Sequence, residues 1–585
     1  MTLLRLDAVN GVWPVAVFLA TLGAAFLLCF AAYLVLRSGP ASLPANALVV
    51  GGAILFRLTL LPAGLPPDLP FGEKLAAMAA DWRGEAVTYE RFQLFDDDIW
   101  RYLWDGHVAA AGAKVYGAAP ADASMDYLVQ GASAHPDWGT IRENINYPNL
   151  PTVYPPLAQL LFRAAHALAP GSVLVMKVIV VSLDLLAYGF ITLGLAARQQ
   201  PTARSILYGW NTLVIKVFAG SGHVDAIVVA ALAATCCFLA TKKRTAASVS
   251  LGLAIAAKVA PIVLIPFLAR RVGAWRTALL FVTALACCVP YFAAGTHLMD
   301  SFLVFSTGWQ FNGGPFRLIE WLVGFVADKP EFLARLVCAA LVAASLLTLY
   351  RYDDANPNSF ARVAAMALGA VLILSPVVMP WYVSWLMPVG VLAWNRAALF
   401  FSLAVCLAFL VMVRGTERPW ALVLEYGSLA AMIWWEVAHG RLPNFRRVAV
   451  SSSTSGEERM SRLYSILLLI ASMPAMARAQ GSGTIHVPGN LDTLGSPFSV
   501  TRIVNGKIAG IHKEAKATWV LLEYGKGRRG AIRLTGGTRF RADKNTEYAG
   551  KKHMSRDDLE LGQSVRATFV ANTGEVLELR FTAKT

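Results

Sequence analysis

The sequence predicts an all-α polytopic membrane protein of about 11–13 membrane helices, one of them broken or re-entrant, followed by a small C-terminal all-β barrel. Three observations predict it. Of 585 residues, 56% are hydrophobic and 15% charged, with a mean hydropathy of +0.52, far from the balance of a soluble globular chain. Apolar runs long enough to cross a bilayer recur from the N-terminus to about residue 440. Beyond residue 480 the pattern changes to short alternating runs separated by Gly-rich turns, which is the period of strands.

The apolar runs occupy residues 13–36, 46–63, 173–196, 204–219, 225–241, 275–294, 332–350, 360–378, 381–395, 398–413 and 420–438. Basic clusters between them set orientation, because cytoplasmic loops collect Lys and Arg. Placing Arg37, Arg198, Arg204, the Lys242–Arg244 cluster, Arg270, Arg271, Arg276, Arg351, Arg396 and the cluster Arg441, Arg446 and Arg447 on the cytoplasmic side puts the long segment 64–172 outside. Residues 246–269 lie between two basic clusters that want the same side, and Pro261 and Pro266 follow Lys258 closely. A pair of half-helices satisfies those charges, since proline breaks a helix and a broken backbone is tolerated where protein covers it. The same topology puts residues 295–331 and the corner 376–382 outside.

The whole of 1–447 reads as the membrane part, and residues 448–459 as a Ser-rich linker. Residues 460–480 have a basic start, a short apolar centre and small residues at Ala475, Ala477 and Ala479, like a signal peptide. An exported protein joined in frame to a membrane protein, with cleavage near Gln480, explains that segment; one last membrane anchor explains it equally. Either sends 481–585 out of the cytoplasm. That tail carries about seven more basic than acidic side chains, and the runs Ala517–Tyr524 and Ser564–Val570 read as strands of an OB-like or SH3-like barrel.

The net charge of +15 sits mainly in the loop clusters, so it speaks for membrane topology and not for a nucleic-acid partner. All seven cysteines fall in apolar stretches, which argues against disulfides and structural zinc.

Chemistry concentrates in the large loop. Residues 96–106 read DDDIWRYLWDG. Asp97 and Asp98 stand at helical pairing distance from Arg101, so the group is either a surface ion pair or a base beside a phosphate-holding cation. Asp105 lies seven residues after Asp98 and shares its helix face. The stretch 145–159 holds four prolines; it is a rigid connection, or a site in which Tyr154 stacks on a sugar and Gln159 reads its hydroxyls. Residues 220–225 read GSGHVD, and His223 with Asp225 forms a polar cluster in apolar surroundings, the kind that marks function more often than scaffolding. Lys258 is either a phosphate ligand or a cation that snorkels to the membrane edge.

Taken in order, DDIWRYLWDG (97–106), TVYPPLAQ (152–159), GSGHVD (220–225), KVAP (258–261), FNGGPFR (311–317) and SPVVMPWY (375–382) resemble the bacterial polytopic glycosyltransferases of the GT-C superfamily. The chain looks most like polyprenol-phosphate-mannose-dependent alpha-mannosyltransferases, over roughly residues 45–440. The resemblance implies inverting transfer of one sugar, mannose or another hexose, from a polyprenyl-phosphate donor to a glycan or lipid acceptor at the outer face of the bacterial cytoplasmic membrane. It implies a catalytic base at Asp97 or Asp98 and donor-phosphate ligands Arg101, His223 and Lys258. Substrate contacts would come from Asp105, Tyr154, Gln159, Asp225, Asn312, Trp381 and Tyr382. No cofactor is required on this reading, although Asp96 to Asp98 could hold Mg2+ or Mn2+. Two features depart from the family pattern: residues 65–92 look like an insertion, and Asp96 replaces a small residue. A transporter or flippase of lipid-linked sugars is the competing reading, and it expects internal repeats of the hydropathy pattern, which the chain lacks.

Overall fold

The computed structural model of the protein describes residues 12–37, 43–66, 68–85, 87–89, 98–129, 137–291, 309–327, 329–410 and 419–439; in the C-terminal part it describes 501–513, 518–524, 528–534, 538–542, 546, 555–570 and 576–582. The linker 448–459, the signal-like segment 460–480 and the basic residues Arg441, Arg446 and Arg447 lie outside the described residues.

The membrane part is helical. It opens with α1 (Val12–Leu36) and α2 (Leu43–Leu60), and the segment expected outside the membrane folds into α3 (Phe71–Trp82), α4 (Asp98–Ala110), α5 (Trp138–Glu143) and α6 (Pro156–Leu168) before α7 (Val173–Ala197). Among the described residues five helices are long and apolar enough to cross a membrane: Val15–Leu36, Val173–Ala197, Ala274–Tyr291, Pro330–Tyr352 and Pro419–Ala438. Shorter apolar helices stand between them, and the chain is a multi-pass membrane protein. Helix Ala226–Ala240 is buried on nearly every side, as expected of a helix that is apolar all round. Helix Arg244–Ala257 crosses the next helix, Ala274–Cys288, at Gly252, where a Cβ would stand 2.7 Å from the Leu280 carbonyl oxygen. Small residues permit that approach of backbones.

Three of the expected spans are not single helices. Residues 204–219 divide into the short helices Ile206–Gly209 and Thr212–Ile215 and a π-turn Lys216–Gly220. Asn211 makes the division, since its side chain accepts a hydrogen bond from Val214 N at 3.1 Å and so caps a new helix. Residues 381–395 divide into Pro380–Val383 and Leu386–Ala393, the latter ending on Trp394 with a left-handed φ of 57°. The run beginning at 398 is helical over Arg396–Ala404 and then tightens into a 3-10 turn over Val405–Leu410. The break expected at Lys258 is present: helix Arg244–Ala257 ends on an extended Lys258 (φ −157°), and Ala260–Leu264 and Ile265–Val272 follow as separate turns.

A buried ion pair joins α2 to α7. Arg57 of α2 and Asp184 of α7 have fully buried side chains and meet at 2.5 Å. Arg57 also donates to the carbonyls of Ala53 (2.9 Å) and Gly209 (2.7 Å), and the Tyr208 hydroxyl donates to Asp184 at 2.6 Å. A buried charge is tolerated only when paired and hydrogen-bonded, and both conditions are met.

In the tail, β1 (Thr501–Lys513), β2 (Thr518–Tyr524), β3 (Arg528–Leu534), β4 (Arg539–Ala542), β5 (Ser564–Val570) and β6 (Val576–Phe581) form one mixed sheet in the order β3-β2-β1-β5-β6-β4. The two expected strand runs are β2 and β5. All ladders are antiparallel except β4 with β6. Val520 and Leu522 turn into a core with Ile508, Ile532, Val565 and Phe581, as period-2 alternation requires. Among the described strands β3 and β4 are the sheet's two edges, so the tail is described as a six-stranded mixed sheet and the OB likeness stays an expectation.

Removing one partner of the Arg57–Asp184 pair leaves an uncompensated charge in the core, at a cost of about 3–5 kcal/mol. Asp184→Ala is therefore expected to lower the thermal unfolding midpoint in detergent sharply. The double replacement Arg57→Met with Asp184→Leu should recover most of the loss; equal loss in both variants would show that the pair does more than neutralise itself.

Candidate active site

Helix α4 starts at Asp98 and is held along its length by α6. Gly106 makes the contact possible, since a Cβ there would lie 2.5 Å from the Phe162 carbonyl oxygen. Tyr102 stacks on Phe162 with centroids 4.6 Å apart, and Tyr154 meets the Tyr102 ring edge-on at 5.0 Å. Pro156 occupies the first turn of α6, where its missing N–H costs nothing. Buried between the helices, Arg101 Nε donates to Asp105 Oδ1 at 2.8 Å and Arg101 Nη1 to the Leu150 carbonyl at 3.1 Å. Gln159 Nε2 donates to Asp105 Oδ2 (2.9 Å) and to Thr152 Oγ1 (3.1 Å). Three residues expected at a ligand thus meet one another, and the Gln159–Asp105 hydrogen bond braces α4 against α6.

The opposite side of the α4 start faces the GSGHVD turn. Gly222 adopts φ +73°, and a Cβ there would sit 3.0 Å from Ile99 Cδ1 and 3.3 Å from Lys177 Cγ, so this turn needs glycine both for conformation and for space. The π-turn then delivers His223, whose N–H donates to the Val217 carbonyl at 3.0 Å. The imidazole is fully buried, stacks on Trp381 with centroids 4.1 Å apart, and brings Nδ1 to 3.6 Å from Asp98 Oδ2.

Two residues further on, Asp225 Oδ1 accepts a hydrogen bond from Trp385 Nε1 at 2.8 Å and lies 3.4 Å from Lys258 Nζ. The ammonium also faces the rings of Tyr382 (5.0 Å), Tyr154 (5.9 Å) and Trp385 (5.9 Å), within the range of cation–π attraction. Tyr382 and Trp385 stack on each other at 4.7 Å. The extended backbone at Lys258 is what turns this side chain out of its helix and into the ring of aromatics. His223, Asp225, Lys258, Tyr154, Trp381 and Tyr382 are therefore gathered with Asp98 into one region, which the helix break, the π-turn and the α4 start build together.

Asn312 stands behind this region. Its φ is left-handed at 52°, its Nδ2 donates to Glu425 Oε1 at 2.9 Å, and its carbonyl accepts from the Tyr426 hydroxyl at 2.5 Å. Phe311 N donates to the Pro376 carbonyl and Val378 N to the Phe311 carbonyl, both at 2.8 Å. Phe311 so fastens the FNGGPFR segment to the corner that carries Trp381 and Tyr382, while Asn312 ties it to helix Pro419–Ala438. Asp96 and Asp97 lie outside the described residues. Among the described residues no three His, Cys, Asp or Glu side chains gather as a metal-ligand set.

Burial first, and then the charge of Asp98, push the phenols of Tyr147 and Tyr154 well above the ordinary tyrosine range, so both remain protonated near Asp98. Tyr147 meets the Trp309 ring at a tilt, with centroids 4.7 Å apart. Tyr147, Trp309 and Trp385 are site-bordering residues that the sequence reading did not single out. Trp385 was legible as the third aromatic of the Trp381, Tyr382, Trp385 pattern, one helical turn beyond Trp381.

Residues 89–274 match the model of a family described as Alpha-(1->6)-mannopyranosyltransferase, N-terminal domain. That span contains Asp98, His223, Asp225 and Lys258, and the match bears out the glycosyltransferase resemblance. No curated protein matches the chain. A structural search finds the crystal structure of ArnT from Cupriavidus metallidurans bound to undecaprenyl phosphate, at 16% identity and a TM-score of 0.34, covering 72% of this chain and 77% of that one.

In the last turn of α4, at the end away from Asp98, His107 shares a polar contact with His166. His107 Nε2 lies 3.1 Å from the Leu128 carbonyl and Nδ1 lies 3.4 Å from His166 Nε2, and Trp138 stacks on His107 at 3.7 Å. With the carbonyl accepting from Nε2–H, the neutral His107 ring leaves Nδ1 to accept from His166. Burial, and then the neighbouring His107, push His166 down to about 4; burial lowers His107 as well. An unfolded histidine titrates near about 6.5, so below that pH the unfolded chain binds more protons and stability falls with falling pH. The expected result is a thermal midpoint level above pH 7 that drops as pH falls from about 6.5 toward 4, with a shallower drop in His166→Leu. An unchanged slope in that variant would remove the histidine pair as its source.

Proposed function

We propose that this membrane glycosyltransferase moves a hexose, with mannose the leading candidate, from a polyprenyl-phosphate donor to a glycan or lipid acceptor hydroxyl with inversion at the anomeric carbon. The observation that carries the reading is the meeting of Asp98 with His223 at 3.6 Å next to the Lys258–Asp225 pair at 3.4 Å. A carboxylate to receive a proton and cations to meet a leaving phosphate stand side by side, as such a transfer needs.

In the proposed step a carboxylate, Asp98 or its neighbour Asp97, takes the proton of the acceptor hydroxyl. The acceptor oxygen bonds to the anomeric carbon from the face opposite the phosphate, the carbon–oxygen bond to the phosphate breaks, and polyprenyl phosphate leaves with the electron pair. Lys258 offsets the charge that develops on it, and the His223 ring stands beside the reacting carboxylate. The Tyr154 and Tyr382 rings pack on the sugar's C–H surface. Arg101, Asp105 and Gln159 serve as positioning residues, through the hydrogen bonds Arg101–Asp105 and Gln159–Asp105 that hold α4 against α6. The proposed active face is the extracytoplasmic one, in the bacterial inner membrane. A divalent ion at Asp96 to Asp98 would add to the neutralisation of the phosphate, but the cations already present supply that role.

The test is transfer from synthetic polyprenyl-phosphate sugars by the purified chain. Loss of a general base lowers turnover by about 10²–10⁴-fold, and that is the expectation for Asp97→Asn combined with Asp98→Asn, with donor binding kept. Lys258→Met should lower turnover by about 10²–10³-fold, and activity should survive EDTA. Full turnover in the double aspartate variant would sink the assignment of the base.

A further inference from the structure

Helix α3 is inside out for a helix in water. Its charged residues Lys74 and Asp81 are buried, at 2% and 4% exposure, whereas Phe71, Leu75 and Trp82 are 66%, 49% and 54% exposed. The steps of four and seven residues put the three apolar side chains in one narrow stripe along the helix. Glu73 is exposed on another side.

The helix is fixed at a definite height. Asp81 Oδ2 accepts from the Ser172 hydroxyl at 2.5 Å and from Leu174 N at 2.7 Å, which ties the end of α3 to the first turn of the spanning helix α7. Lys177, one turn deeper in α7, donates to the carbonyls of Leu61 (3.1 Å) and Ala63 (2.7 Å) at the end of α2. Between these ties Met78 packs into the cluster of Leu61, Leu174, Val181 and Ala219, joined by Val178 and Leu185. Val181 is eight residues into α7, roughly 12 Å along its axis at 1.5 Å per residue. The spans to which α3 is tied carry exposed apolar side chains of their own, Leu55 and Leu58 of α2 and Leu186 of α7.

We propose that α3 is an interfacial helix lying in the leaflet that borders the α4 side of the membrane, with Phe71, Leu75 and Trp82 among the lipid acyl chains. Its polar ties to α7 hold it at that depth, and Trp82 takes the boundary position that tryptophan favours. Helix α3, within the segment that interrupts the motif pattern, thus adds a lipid-anchored element after α2, and part of the long connection between α2 and α7 is not in water.

The test uses the full-length chain with its seven cysteines replaced by alanine, in nanodiscs of phosphatidylethanolamine and phosphatidylglycerol. Nitroxide labels are placed singly at Leu75→Cys and Trp82→Cys, with Leu55→Cys as the acyl-chain reference and Glu73→Cys as the aqueous one. Oxygen is expected to relax the labels at 75 and 82 several-fold more than a water-soluble nickel chelate does, as at 55, with the order reversed at 73. Labels at 75 and 82 that behave like the one at 73, or that neither reagent reaches because protein covers them, would overturn the proposal. Two separate labels keep the answer available if one variant fails to fold.

Discussion

The Arg57–Asp184 pair is the constraint on which the membrane part turns. Neither group can be hydrated at that depth, so each must find all its partners within the protein. Arg57 does so by reaching the Gly209 carbonyl as well as Asp184, and Asp184 by accepting from Tyr208. Three stretches of chain far apart in sequence are thereby fixed at one level. The short helix Ile206–Gly209 cannot shift without exposing a charge, and the π-turn and His223 follow it directly along the chain. The position of the imidazole is an outcome of polar satisfaction some distance away.

A second set of polar contacts places the other side of the region. The Arg101–Asp105–Gln159–Thr152 chain is buried, so its hydrogen bonds act where competition from water is weak. It sets the roll of α4 about its axis, and that roll decides whether Asp98 points to His223 or away from it. The aromatic corner completes the enclosure: Trp381 covers one face of the imidazole, while Tyr382 and Trp385 stand over the ammonium. Around the α4 start the chain uses charge for orientation and rings for exclusion.

Much of this was legible in the sequence, and the limits have physical reasons. Composition and apolar run length give the class, because the bilayer imposes a minimum length on any crossing. Pro261 and Pro266 announce the break beside Lys258, and the motif strings announce that Asp98, His223 and Lys258 belong together. The division of 204–219 was hidden because a cap such as Asn211 acts on one hydrogen bond and hardly alters hydropathy. Arg57 and Asp184 did carry a signal, as lone charges in apolar runs that need a partner, but which helices meet is a matter of packing. Arg101 shows the ambiguity of a helical ion pair: spacing allows both Asp97 or Asp98 before it and Asp105 after it, and the pair with Asp105 is present at 2.8 Å.

Asp225 has a consequence for the catalytic cycle as a whole. Lys258 already holds a counter-ion of its own before any phosphate arrives, and Trp385 keeps that counter-ion in place. On the proposed reading, the polyprenyl phosphate left after transfer must compete with a carboxylate that cannot diffuse away. Such an internal competitor weakens product inhibition: the enzyme gives up affinity for a spent carrier that the membrane retains close by, and gains turnover.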